Sequence, residues 1–189
     1  PYIHGALFAE RIAPAAFDNA MRTILLDACE FEWGEVSPVI FGSLFESVID
    51  KVTQRKKGAH YTPEDAILRL VGPLFLDELQ AELERAKSLK SGRDDALQRL
   101  HDRLVSLTFL DPACGAGNFL VVAYRELREL EREIVKERYL RAGVARGEGA
   151  DPSKLSRLNV DQFFGIEIDE FPARIAEVAL WMTDHIANT

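Results

Sequence analysis

Disulfides and metal clusters are the first things this chain lacks. Its 189 residues hold two cysteines, Cys29 and Cys114, too few for a disulfide framework and without zinc spacing. Four scattered histidines add no ligand cluster. No apolar run approaches the ~20 residues that cross a bilayer, and no signal peptide is visible. No membrane partner is therefore expected, and a reducing cytoplasm is the expected setting. Positive charge is also short: 23 basic against 31 acidic residues leave −8. Proteins that grip nucleic acid usually present a basic surface, so any such contact is expected to be local or supplied by other segments. The one basic run, Arg55-Lys56-Lys57, reads equally as a solvated loop or a phosphate contact. An initiating methionine is missing too; the first residue is Pro1, which suggests a piece cut from a longer chain. What remains is ordinary globular composition, 47% hydrophobic and 29% charged, in a length that supports one domain with a real core.

The informative stretch runs from Leu107 to Leu120, LTFLDPACGAGNFL. Leu107–Leu110 is a short apolar run of buried-strand type, ended by Asp111 and by Pro112, which cannot donate to a sheet ladder. Gly115 and Gly117 follow, and a long helical pattern begins. Strand, glycine turn and helix together turn backbone N–H groups toward a ligand. Glycine is required because a Cβ would block the turn or hold the ligand off. The dinucleotide fingerprint has a third glycine, where this chain has Leu120, and Asp111 would repel a pyrophosphate. An acid there suits a cationic amine.

Upstream, helical patterns dominate. A helix is expected from Pro14, with Phe17, Met21, Ile24, Leu25 and Ala28 on one core-facing stripe. A second is expected from Ser37-Pro38, with Phe41, Leu44, Phe45 and Val48. Thr62 reads as a cap, Pro63 as a first helical residue and Asp65 as the partner of a capping box. Pro73 is expected to open a further helix through Leu76, Leu79 and Leu83. A turn follows around Ser91-Gly92, then a helix with Leu97, Leu100 and Leu104, beside which His101 reads as a surface or packing residue. After Gly117 the helix carries Phe119, Ala123, Leu127, Leu130 and Ile134 inward. Its interleaved acids (126, 129, 131, 133) and arginines (125, 128, 132) read as a solvated ion-paired face.

Residues 143–153 look like a connection, with a short helical turn at Asp151-Pro152. A second strand is expected over Phe163–Ile168, and a last helix from Asp169 with Ile175, Val178, Ala179 and Met182 inward. A β-α-β unit with an acid at the tip of its second strand is the nucleoside-binding layout, in which the acid accepts from both ribose hydroxyls. Glu167 takes that role, Ile168 would pack on an adenine ring, and Asp169 reads as a helix cap. The spacing from Asp111 to Glu167 is 56 positions (167 − 111), against roughly 20 in a compact unit. The long helix and the 143–160 connection absorb the excess.

The run D-P-A-C-G-x-G-N-F resembles motif I of S-adenosyl-L-methionine-dependent methyltransferases, in the spelling of enzymes that methylate amines. Together with FGSLFESVID, GAHYTP, PLFLDEL and FGIEIDEFPARIAEVALWMTDHIAN, it makes the whole chain similar to the MmeI-like family of DNA adenine methyltransferases, of restriction-modification and phage-defence type. The resemblance implies a mostly helical α/β fold: part of a Rossmann-like class I methyltransferase domain with two parallel strands. It divides the chain into a helical segment, 1–52, and the N-terminal part of the cofactor domain, 53–189. The implied cofactor is S-adenosyl-L-methionine and the implied partner is double-stranded DNA, through the parent chain. Tyr61, Thr62 and Pro63 match motif X, which holds the methionine part of the cofactor. Asp111, Pro112, Ala113, Gly115, Gly117, Asn118 and Phe119 match motif I, and Glu167 and Ile168 match motif II.

Such enzymes hold the exocyclic amine of a flipped base with an Asp, Asn or Ser followed by Pro-Pro and an aromatic residue. Here none of the eight prolines is adjacent to another, so no catalytic residue is assigned, and residues 1–189 alone are expected to be inactive. The motif I strand normally sits mid-sheet. With one neighbour missing, a bare edge is expected to recruit a second copy or be covered by a helix. Three rivals stay open: a methyltransferase of RNA or protein side chains, a helical spacer with unused cofactor motifs, and a dehydrogenase, which Asp111 and Leu120 disfavour.

Overall fold

The computed structural model describes residues 16–32, 36, 40, 62–141 and 155–188, without the side chains of 140 and 141. The first helix, α1 (Asn19–Glu30), is capped by Asp18, whose Oδ1 accepts from Met21 N–H at 2.8 Å. The expected start at Pro14 lies outside the described residues. The expected core stripe is not a core: no residue of α1 is buried, and Phe17, Met21, Ile24 and Leu25 are exposed. An apolar stripe at helical spacing defines a helix face but not what covers it. The second expected helix lies outside the described residues except at Ile40.

α2 (Glu64–Val71) begins one residue later than the capping pattern predicts. Pro63 holds the cap position, its carbonyl accepting from Ala66 and Ile67, and no side chain caps the helix. Glu64 and Asp65 instead place negative charge at the positive end of the helix dipole. Pro73 opens no new helix. The chain runs helically through a widened turn, Gly72–Leu76, into α3 (Asp77–Ser88), and Asp77 N–H reaches back to Gly72 O. Bonding five residues back accommodates the proline ring that an α-turn would exclude. Gly92, at φ +68°, turns the chain into α4 (Arg93–Ser106).

Two short strands, β1 (Phe109–Asp111) and β2 (Phe163–Gly165), pair in parallel with Phe109 opposite Phe163 and Asp111 opposite Gly165. Between them come α5 (Asn118–Arg141) and the undescribed connection, and after them α6 (Glu170–Ala187). Among the described residues the fold is thus mostly helical around two parallel strands. The strands are shorter than predicted, since backbone pairing ends before Glu167. One face of the pair is packed: Phe75, Phe109, Phe163 and Tyr124 form a chain of ring contacts with centroids 4.8–5.1 Å apart. Each such pair is worth about 0.5–1.5 kcal/mol beyond burial. Around these rings Ile67, Leu79, Leu83, Leu97, Leu100, Leu104, Leu127 and Ile134 complete the core. The other face, carrying Leu110, Phe164 and Ile166, is exposed.

Two further expectations change. The buried stripe of α6 is Pro172, Ala176, Ala179, Leu180 and Thr183, rotated from the one predicted, because small residues let α6 lie close to α5 and the glycine turn. On α5, Arg128 and Glu131 are buried, not solvated. The exposed pair Arg132–Glu129 does follow the ion-paired pattern.

Close packing makes Gly165 a sensitive position. A Cβ there would lie 2.6 Å from Cys114 Sγ and 3.3 Å from Leu120 Cδ1. Gly165→Ala is predicted to destabilise the fold by about 1–3 kcal/mol, measured by urea denaturation. Adding Cys114→Ala should return part of that loss, since it removes the nearest clashing atom. No recovery would show that the clash lies elsewhere.

Candidate functional site

The predicted motif I residues gather at the C-terminal end of the strand pair. Asp111 Oδ1 accepts from Ala113 N–H at 3.0 Å, an Asx turn that bends the chain away from the sheet over the exposed Pro112 and Ala113. The two strand ends are stitched past their last residues: Ile166 N–H donates to Asp111 O at 2.9 Å, and Cys114 N–H to Ile166 O at 3.0 Å. Gly117 N–H closes the turn on Cys114 O at 2.8 Å, and Asn118 starts α5.

Gly115 and Gly117 both have left-handed backbones, φ +53° and +84°, but they are needed for different reasons. A Cβ on Gly117 would sit 2.8 Å from Ala176 Cβ, so that glycine admits α6. A Cβ on Gly115 would meet nothing within 4 Å. That side of the turn is open space. Asn118 and Phe119 are half-buried in the first turn of α5, with Phe119 packed on the core.

Glu167 stands at the centre of this arrangement. Its Oε2 accepts from Gly115 N–H at 3.0 Å and its Oε1 from Asp169 N–H at 2.9 Å. An ionised carboxylate offers about four acceptor sites, so each oxygen retains capacity for another donor. Asp169 holds the cap position of α6, but its side chain makes no capping bond. The next residue, Ile168, is 97% exposed, an apolar side chain held in the open beside the acid. Asp111, Glu167 and Asp169 make this end acidic and rich in acceptors. Such a surface suits a cation and hydroxyl donors and repels phosphate.

The motif X residues are only partly visible. Tyr61 lies outside the described residues. Thr62 is half-buried and Pro63 exposed at the start of α2, and among the described residues no hydrogen bond joins either to the glycine turn. α2 is anchored to α5 by Glu64, which accepts from Arg125 at 2.6 Å. The arginine's hydrogen bond holds the Glu64 carboxyl below its ordinary range.

Reading the sequence missed the role of Cys114. Its buried side chain fills the space under the turn that Gly165 leaves open. The available signal was a glycine inside a strand, which marks a close approach. Burial, then the nearby Asp111 and Glu167 carboxylates, push the thiol up to about 11. A cavity of about 550 Å³ also borders β2 and α6, between Phe164 and Trp181. Of the predicted site residues only Glu167 touches it, and Cys114 of the turn lines it too. No group of acids, cysteines and histidines among the described residues could hold a metal, and no described helix is long and apolar enough to cross a membrane.

Comparison with known proteins finds relatives over the whole chain. Residues 83–189 match the family model "MmeI, DNA-methyltransferase domain". Over its whole length the chain is 34% identical to DNA methyltransferase A of Bacillus subtilis, covering 20% of that protein. Over 96% of its length it is 23% identical to a putative type II restriction enzyme and methyltransferase of Methanocaldococcus jannaschii, covering 18% of that protein. It therefore spans about a fifth of these curated relatives. A solved structure of the type IIL restriction-modification enzyme MmeI in complex with DNA superposes on the whole chain at a TM-score of 0.81. The two are 53% identical, and the chain covers 24% of that structure.

The raised Cys114 thiol yields a chemical test. With an ionisation near 11, about one molecule in a thousand carries the thiolate at pH 8. Iodoacetamide at pH 8 is predicted to modify the exposed Cys29 and to spare Cys114 until denaturant is added, as read by peptide mass mapping. Equal labelling of both in the native state would contradict the packing around Gly165.

Proposed function

The chain belongs to the MmeI DNA-methyltransferase domain family, and from that premise we propose that it forms the cofactor-binding part of an S-adenosyl-L-methionine-dependent enzyme that methylates N6 of adenine in double-stranded DNA. One observation carries the reading: Glu167 and Gly115 are joined at 3.0 Å where the parallel strands end, beside an open, acceptor-rich surface. Phosphate is disfavoured there, while a nucleoside carrying a cationic amine fits.

In this reading Asp111 faces the ammonium and Glu167 accepts from the two ribose hydroxyls with its remaining lone pairs. Gly115 lets the ligand approach the backbone, and the outward Ile168 offers a surface for the adenine ring. Pro112, Ala113, Asn118 and Phe119 shape the turn that holds these groups. Tyr61, Thr62 and Pro63 border the methionine part. When bound, the cofactor supplies a methyl group already activated on a sulfonium, so the protein's task is chiefly positioning. None of residues 1–189 is assigned a catalytic role toward the flipped base, and residues 1–189 alone are proposed to be inactive.

The two strands are proposed to belong to a larger Rossmann-like parallel sheet, with 53–189 as the first part of the cofactor domain and 1–52 as a helical segment before it. Cytoplasmic location follows from the proposed role in restriction-modification. With a charge of −8, contact with DNA falls to the rest of the parent protein. For residues 1–189 alone, the edge that the rest of that sheet would fill is proposed to pair with a second copy or to be covered by a helix; sedimentation velocity of this segment would detect the first, and a monomer would leave the second.

The experiment combines binding and product analysis on the full-length protein. Glu167→Ala is predicted to weaken S-adenosylmethionine binding by about 1.5–3 kcal/mol, the loss of charge-assisted hydrogen bonds, without unfolding the domain. Unchanged affinity would remove Glu167 from the site. Labelled methyl should appear in N6-methyladenine after incubation with duplex DNA and digestion to nucleosides. Label confined to cytosine, RNA or protein would favour the rival methyltransferase readings, and no transfer to any acceptor would favour the spacer.

A further inference from the structure

Glu131 lies on α5, far along the helix from the glycine turn, and is 1% exposed. Its Oε1 accepts from His101 Nε2 at 2.6 Å, Arg157 N–H at 2.7 Å and Leu158 N–H at 3.1 Å, and its Oε2 from Ser156 Oγ at 2.5 Å. One turn earlier, Arg128 donates to Ser156 Oγ and Leu158 O, and reaches the end of α6 through Ala187 O and Asn188 Oδ1. Burying a carboxylate is costly, and a hydrophobic residue of similar volume often serves stability as well or better. A nonpolar side chain here, however, would leave the N–H groups of Arg157 and Leu158 without their acceptor.

That segment leads directly into β2. Asn159 and Gln162 cap a single helical turn, Val160–Gln162, each accepting a backbone bond from the other's end. Gln162 Nε2 then donates to the carbonyls of Leu104, Val105 and Leu107 at 2.8–3.2 Å, tying the start of β2 to the end of α4 and the approach to β1. The parallel register, Phe109 opposite Phe163, is thus held from the side remote from Glu167. A slip of one residue would move Glu167 by about 3.3 Å and turn its side chain to the other face. Either displacement exceeds what a hydrogen bond to a ribose hydroxyl tolerates.

We propose that Glu131 is a positioning residue for the cofactor site: it anchors residues 156–158 and so fixes the register that presents Glu167. This rests on the assignment of Glu167 to the ribose in the proposed function. Glu131 touches neither cofactor nor substrate in this account.

A double-mutant cycle in the full-length protein, read as the calorimetric dissociation constant of S-adenosylhomocysteine, separates positioning from general stability. Glu131→Leu, which fills the volume but removes all four bonds, is expected to raise the constant about tenfold. Glu131→Gln, which keeps an acceptor, should raise it less. In a Glu167→Ala background neither change should weaken binding further, because residues acting through one another are non-additive. Wild-type affinity in both Glu131 variants would overturn the inference, as would an equal, additive loss with and without Glu167. Should Glu131→Leu fail to fold, the same cycle with Glu131→Gln decides by the same outcomes. If Glu167→Ala alone leaves affinity unchanged, the ribose assignment itself fails and takes this inference with it.

Discussion

The register of one parallel strand pair governs this molecule. Three residues of β1 face three of β2 across a connection of more than fifty positions. A pair this short contributes few hydrogen bonds, so it cannot hold itself in place against the entropy of closing so long a loop. Its register is imposed from outside the ladder. Stacked rings on the packed face hold Phe109 against Phe163, while Gln162 clamps the entry of β2 and Cys114 locks against Gly165 at the exit. The glycine turn, the acid and the open surface between them inherit their geometry from that pairing.

Close packing and polar bonding divide the work. At the exit end the tolerances are steric: Cys114 fills the space beside Gly165, and Ala176 meets Gly117, so α6 and β2 approach the turn as nearly as backbone allows. At the entry end the tolerances are directional, because the backbone of residues 157–158 is held by N–H bonds to a buried carboxylate. Desolvation raises the Glu131 carboxyl, and the bonds from His101, Ser156 and the Arg157 N–H outweigh it, so the group titrates below its ordinary range. Its contribution to stability is therefore present above the ordinary carboxylate range and fades as the pH falls through the lowered value.

The strand-turn-helix unit was legible because glycine, proline and an acid at the end of an apolar run have few alternative uses. The parallel pairing, the positions of Gly115 and Gly117 and the buried leucines of α3 and α4 all follow from such local signals. Three features were not legible. α1 carries a good apolar stripe and still buries none of it, since periodicity says nothing about the partner surface. Pro73 reads as a helix start because the alternative, a widened turn, leaves no mark in a single sequence. Arg128 and Glu131 look like members of a surface charge pattern, and it is α4, the end of α6 and the return of residues 156–158 that make them interior. Of the candidate site, the acid and the glycines were visible, while the bond from Gly115 to Glu167 depends on a register that spacing alone does not reveal.

The central claim is that Glu167 and Asp111 receive the ribose and the amine of one ligand across the glycine turn. A crystal structure of the full-length protein with S-adenosylhomocysteine tests it most directly. The account predicts both ribose hydroxyls within hydrogen-bonding distance of the Glu167 carboxylate, the ligand ammonium beside Asp111, and the adenine against Ile168. A ligand bound instead in the cavity between Phe164 and Trp181, with Glu167 still tied only to Gly115 and Asp169, would contradict it.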